Sequence, residues 1–165
     1  MALPRQTPAA DATRVYEQTF FDGSTRLAHV SNRERPYPKG RLIVSRTDIE
    51  GVITHCNAAF VEISGYERNE LIGQPQCILR HPDVPRSLYA SLWSTLQQGE
   101  KWHGYLKNLC KDGSHYWVYA TVLPNVRQGK VIGYSSVRRE MSRLKVDETI
   151  RQYALLTAAE KGAAT

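Results

Sequence analysis

No stretch of this 165-residue chain approaches the roughly 18 uninterrupted apolar residues of a membrane span. The N-terminus, Met1-Ala2-Leu3-Pro4-Arg5, has no apolar centre and does not read as a secretory signal. Cysteine is scarce: three, an odd number without framework spacing, so free thiols in a reducing cytoplasm are expected. His55-Cys56, Cys77, His81 and Cys110 lack paired C-x-x-C spacing, which excludes a zinc site. No Gly-rich phosphate loop is present, so the dinucleotide-binding fold is excluded. No spacing suggests a Cys–His hydrolase, and a non-enzyme is expected. Charge of one sign is never concentrated either. The net +6 is spread from Arg5, Arg14 and Arg26 to Arg143 and Lys145 and interleaved with acids. That reads as a solvated surface, not a nucleic-acid face. Attraction to an anionic ligand or membrane surface is the second reading.

What is present suffices for one core, with 41% hydrophobic residues. Residues 1–40 are polar and carry prolines at 4, 8, 36 and 38. They are expected to form a partly ordered N-terminal cap, with Asp11 capping a short helix through Val15, Tyr16, Phe20 and Phe21. A domain over 41–138 follows. Leu42–Ser45 and Val52–His55 read as strands about a turn at Gly51. Asn57 caps a helix carrying Phe60 and Ile63 that stops at Gly65, and Glu67–Leu71 is another helical turn. Pro75–Leu79 holds only a short irregular helix. Asp83 and Pro85 open a helix with Leu88, Leu92 and Leu96, ending at Gly99. Strands over 102–109, 115–123 and 131–137 are joined by turns at Lys111-Asp112-Gly113-Ser114 and Arg127-Gln128-Gly129-Lys130. From Ser142 the chain is helical, with Val146, Ile150, Tyr153 and Thr157 either folded onto the sheet or starting a coiled coil, and 139–165 forms a C-terminal helix and tail. Hairpin-linked strands with helices gathered on one face make an α+β domain.

The opening Thr47-Asp48 through Asn57, with Asn57-Ala58-Ala59-Phe60, Ser64-Gly65-Tyr66 and Leu71-Ile72-Gly73, resembles the PAS sensor domains. Narrower pieces are Gly73-Gln74-Pro75, Arg80-His81-Pro82-Asp83, Trp102-His103-Gly104, Lys107-Asn108 and His115-Tyr116-Trp117-Val118. These resemble the flavin-binding PAS domain of bacterial aerotaxis receptors. The resemblance implies a PAS fold: a five-stranded antiparallel sheet with short helices on one face, plus an N-terminal cap and a C-terminal helix. It also implies noncovalently bound FAD, with Asn57, Arg80, His81, Asp83, Trp102, Asn108 and Trp117 as cofactor-binding candidates. An Arg fork suits phosphate or ring carbonyl oxygens, an indole stacks on flat rings, and an Asn amide both donates and accepts. Each has a plainer reading: an Arg80–Asp83 surface ion pair, a capping His81, a core Trp102.

The function so implied is a cytoplasmic sensor of redox state or oxygen, of aerotaxis type, signalling through its flanks to a partner protein or a homodimer. FMN and haem are the alternative cofactors; haem would draw on His81 or His103. A haem-binding gas sensor, a flavin blue-light sensor and a ligand-free dimerisation module are the other readings. Light–oxygen–voltage photoreceptors, a further flavin-binding PAS branch, carry a reactive cysteine at the position of Gln76 here. Cys77 falls one residue late, about 100° round a helix, so an inert thiol is expected.

Overall fold

Residues 3–20 and 23–164 are described by the computed structural model. The first element is a strand. β1 (Arg14–Thr19) pairs antiparallel with β2 (Thr25–Val30), Arg14 opposite Val30 and Thr19 opposite Thr25. This hairpin replaces the helix expected after Asp11; Phe21, assigned to that helix, lies outside the described residues. Val15, Tyr16 and Thr19 are β-formers, and ladder pairing outweighs an isolated cap signal.

β3 (Ile43–Asp48) and β4 (Ile53–Cys56) follow. Asp48 Oδ1 accepts the N–H groups of Glu50 and Val52 at 2.9 and 3.0 Å, and Gly51 takes the positive φ of 84°. α1 (Ala58–Ser64) starts at Asn57 and stops at left-handed Gly65, as its caps dictate. A short α2 (Arg68–Leu71) and a 3₁₀ turn (Gln76–Leu79) lead to α3 (Arg86–Gln97), opened by Pro85. Then β5 (Trp102–Leu109), β6 (His115–Arg127) and β7 (Lys130–Arg139) meander into α4 (Arg143–Ala163), capped by Ser142.

The main sheet has five strands in the order β4-β3-β7-β6-β5, every pair antiparallel. Register and the period of two sort its residues onto two faces. One row across the inner face reads Ile43, Arg138, Ala120, Gly104. The neighbouring row reads Cys56, Ser45, Ser136, Val122, Trp102. The helices α1 to α3 cover this face, and Phe60, Ile63, Leu71, Ile78, Leu92 and Leu96 close the core. On the outer face stand Tyr105, Lys107, Leu109, His115, Trp117 and Tyr119.

Two flanks cover the outer face. The hairpin buries Ala28 and Val30 against Leu109. α4 buries Val146, Thr149 and Tyr153, and the Tyr153 hydroxyl donates to the Tyr105 carbonyl at 2.5 Å. Helical spacing thus selects 146, 149 and 153, while Ile150 is exposed. At its far end α4 presents Glu160, whose carboxylate accepts the N–H groups of Arg86 and Ser87 at 3.3 and 2.8 Å. A carboxylate there meets the positive end of α3.

Candidate functional site

The floor of the inner face is made of small residues: Gly104, Ala120, Ser45 and Ser136 surround Arg138. The Trp102 indole covers Gly104, for a Cβ added there would stand 2.1 Å from the indole Cη2. The indole N–H donates to Ser91 Oγ of α3 at 3.3 Å. Arg138 is 3% exposed. Its Nη2 donates to Ser45 Oγ at 3.0 Å, and the Ser45 hydroxyl passes on to Gln76 Oε1 at 3.3 Å. The guanidinium carbon sits 5.1 Å from the Phe60 ring centroid. Among the described residues Arg138 has no carboxylate partner, and its Nη1 is buried with no hydrogen bond. Tyr116 Oη, also buried, lies beside Asn108 without a well-formed hydrogen bond. Burial lowers the Arg138 pKa and raises that of Tyr116, so a cation and a neutral phenol share the interior.

Arg80 closes the same side. Its guanidinium stacks over the Tyr89 ring at 4.2 Å, and burial pushes the Tyr89 phenol up. The Arg80–Asp83 ion pair does not form; Asp83 pairs with Lys107 at 2.7 Å instead. Asn57 stands at the start of α1, where Oδ1 accepts from Val44 N at 3.1 Å and Phe60 N at 3.2 Å. Its Nδ2 donates to Leu42 O at 2.7 Å.

The expected site residues therefore do not converge on one hollow. Trp102 and Asn108 are on the inner face, whereas Trp117 is on the outer face because it is an odd number of residues from Tyr116 and Val118. His81 and Asp83 gather with Trp117. The His81 ring is 5.9 Å from that of His115, and His115 is 6.5 Å from Trp117, which packs on Tyr153 of α4. His81 is fully buried and acts locally, its Nδ1 accepting the Asp83 N–H at 3.0 Å. That bond places its proton on Nε2, which is buried with no partner. Burial and the Lys107 charge hold His81 down to about 3, and burial with the same charge holds His115 down to about 4. Burial works to raise Asp83, but the Lys107 hydrogen bond and the neighbouring histidine keep it below the ordinary carboxylate value. His103, the second haem candidate, is an exposed outer-face residue stacked on Tyr119.

Sequence reasoning missed Arg138, Ser45, Gln76, Tyr116 and Tyr89. The alternation of Val131–Val137, carried one residue further, places Arg138 inward and Arg139 outward; that was the available signal. Gln76, where the resemblance would put the photoreceptor cysteine, reaches Ser45. Surface clefts among the described residues include one of about 640 Å³ at Glu67, Arg68, Asn69 and Ile72 and one of about 280 Å³ between Leu3–Gln6 and Arg26–His29. Neither meets the inner face. No described helix is long and apolar enough to cross a membrane.

A sheet packed by short helices on one face around a buried polar group defines a small sensor-type domain, and the family model for the PAS fold matches residues 43–141. The chain belongs to the PAS family. It is 46% identical over 110 residues to the aerotaxis receptor of Escherichia coli (strain K12), covering 67% of this chain and 22% of that protein. It is 31% identical over 120 residues to the nitrogen fixation regulatory protein of Klebsiella pneumoniae, covering 72% of this chain and 24% of that one. The chain thus spans about a quarter or less of the length of these relatives. Among solved structures, a light–oxygen–voltage domain studied with a flavin analogue superposes with a TM-score of 0.59 at 22% identity, over 67% of this chain and 84% of that one. The light-state LOV domain of the blue-light photoreceptor Aureochrome1 gives 0.58 at 18%, over 72% and 91%. These likenesses establish the fold.

Proposed function

We propose that this PAS domain is a flavin-binding sensor that reports redox state or oxygen through its flanking hairpin and α4. The observation that carries the reading is the inner face itself: a small-residue floor, a flat indole, and buried polar groups left with unused donors. A ligand site needs a few convergent polar groups among apolar walls. Similarity to an aerotaxis receptor and the fold shared with flavin-associated LOV domains support flavin as the ligand, with FAD first. Trp102, Asn108, Arg80 and Arg138 are the residues that would hold it. Bound there, a flavin supplies one- and two-electron redox chemistry at its ring.

The protein's own part is transmission. Gln76 begins the 3₁₀ turn on the ligand side, and the carbonyls of Ile78 and Arg80 behind it are held by Arg26 and Gln18 of the hairpin. Tyr89 and Ser91 lie on α3, whose N-terminus is capped by Glu160 of α4. A change in what the inner groups must bond therefore bears on both flanks. The partner is proposed to be a signalling protein or a second copy, in the cytoplasm. The test is the absorption spectrum of the purified protein: two flavin bands in the blue and near ultraviolet are expected. A colourless protein that takes up no added flavin, or a single intense Soret band, would refute the reading.

A further inference from the structure

Single exposed apolar side chains are ordinary, but a cluster of them on rigid elements is not. Trp93, Ile49 and Ile132 are 42%, 58% and 52% exposed, and none of them belongs to the buried core. Three elements bring them to one rim of the domain. The Trp93 ring, on α3, meets Tyr134 of β7 edge-on at 5.6 Å. It also stands 3.8 Å from where a Cβ on Gly51 would be, in the turn between β3 and β4. β3 and β7 pair as far as Asp48 opposite Gly133, so Ile49 and Ile132 are the next residues along the two strands. The period of two sets Ile132 on the same side of β7 as Tyr134.

Charge is sorted along this rim. Asp48 and Glu50 make the β3–β4 turn acidic. The β6–β7 turn is basic, with Arg127 directly opposite Lys130, and Lys130 is on the side of Ile132. Gln128 and Gly129 between them take positive φ angles of 50° and 76°, a tight turn that holds the tip rigid. Like charges directly opposite one another in a ladder are unfavourable. Among the described residues none of these four charges makes an ion pair. From Ser87 to Gln98 α3 carries no charge at all, so covering it desolvates no ion.

We propose that this rim is a homodimer interface, with a second copy of the chain turned about a two-fold axis beside Trp93. Each copy then lays its acidic turn against the basic tip of the other, over a centre of Trp93, Ile49 and Ile132. A strip with opposite signs at its two ends and an apolar middle is complementary to itself, which is what an isologous contact requires. A uniformly anionic surface would attract the tip and repel the turn. The interface is apart from the hairpin and α4 and does not depend on what the inner face holds. It is built on the helix whose Ser91 holds the Trp102 indole. With so few apolar side chains at its centre the dimer is a weak one, its Kd on the order of 10–300 µM.

The experiment is sedimentation velocity of the whole chain over a concentration range of about 5 to 500 µM, which brackets that affinity. Trp93→Ser is expected to weaken the dimer about 10- to 30-fold, as a central aromatic does, and Ile132→Thr to weaken it by less. Charge reversal tests the geometry without touching the apolar centre. Glu50→Lys or Lys130→Glu alone should weaken the dimer about 3- to 10-fold, because each leaves like charges facing at both ends of the two-fold contact. The double change Glu50→Lys/Lys130→Glu exchanges the signs and should return the affinity to within about twofold of wild type. A chain that stays monomeric throughout the range overturns the proposal. So does a dimer unmoved by Trp93→Ser and Ile132→Thr, or a double reversal no tighter than the single ones. Monomeric protein that sediments with phosphatidylglycerol vesicles, and fails to do so as Trp93→Ser, would give the rim to lipid instead and equally overturn it.

Discussion

Trp102 and Gly104 behave as a single unit: the indole rests where any side chain on residue 104 would be. A methyl there would stand 2.1, 2.4 and 2.9 Å from three indole atoms. The neighbour is a side chain, so the indole must tilt off the floor and the backbone can stay. Gly104→Ala is expected to lower the melting temperature by about 2–6 °C through overpacking, and to weaken flavin binding by displacing the stacking surface. Tryptophan emission with a flavin titration reads both; an unshifted spectrum with full affinity would show the floor to be irrelevant. Asn57 makes the contrasting case. Both ends of its amide serve backbone, tying α1 to β3. Asn57→Ala is expected to cost about 1–2 kcal/mol in urea melts while the folded fraction binds flavin normally. Weaker flavin binding at unchanged stability would make Asn57 a ligand contact instead.

At the scale of elements, the hairpin is the part whose attachment matters most to signalling. Gln18 Nε2 donates to Arg80 O at 3.0 Å and Arg26 Nη2 to Ile78 O at 2.7 Å, while Arg26 Nε donates to Gln18 Oε1 at 3.0 Å. A second clasp joins Arg33 and Arg35 to Asp112. The double change Gln18→Ala/Arg26→Met should free the hairpin from the 3₁₀ turn. Amide exchange in 14–30 is expected to rise at least tenfold while β5 to β7 stay protected; uniform exchange across the domain would mean the hairpin is not a separate unit. The main strands and helices were legible because each states itself locally, through alternation, a cap or a glycine stop. The hairpin was not: besides the apolar contact of Ala28 and Val30 with Leu109, it is held by polar bonds whose partners lie 62 and 52 residues away in sequence. The candidate site was half legible. Trp102 and Asn108, named from the family pattern, lie on the inner face; Arg138 is placed there only by the β6–β7 register, and Trp117 lies on the outer face because motif proximity ignores strand parity.

For the whole molecule, the two buried histidines set how stability follows pH. The charges that act on His81 are Lys107 on β5, Asp83 two residues further on and Arg14 on β1, and those that act on His115 are Lys107, Glu34 before β3 and Asp83. Their folded values, about 3 and about 4, lie below the ordinary value near 6.5. An unfolded chain therefore takes up protons between pH 6.5 and 4 that the folded one refuses. The stabilisation is complete above 6.5 and is lost as pH falls toward the folded values, by up to about 1.4 kcal/mol per pH unit for each ring. Carboxylates add a separate, lower limb. Burial opposes ionisation of Asp112, but bonds from Ser114 and Arg35 hold it at about 2, so its share is lost only below the ordinary carboxylate range. Asp83, also depressed, follows the same sign. The double variant His81→Gln/His115→Gln is thus expected to flatten the fall in melting temperature between pH 6.5 and 4.5 and to leave the acid limb below pH 4 in place. Melts across that range decide it: the same slope in wild type and variant would mean the rings titrate normally, and that α4 and the hairpin do not seal the outer face as the packing of Trp117 on Tyr153 requires.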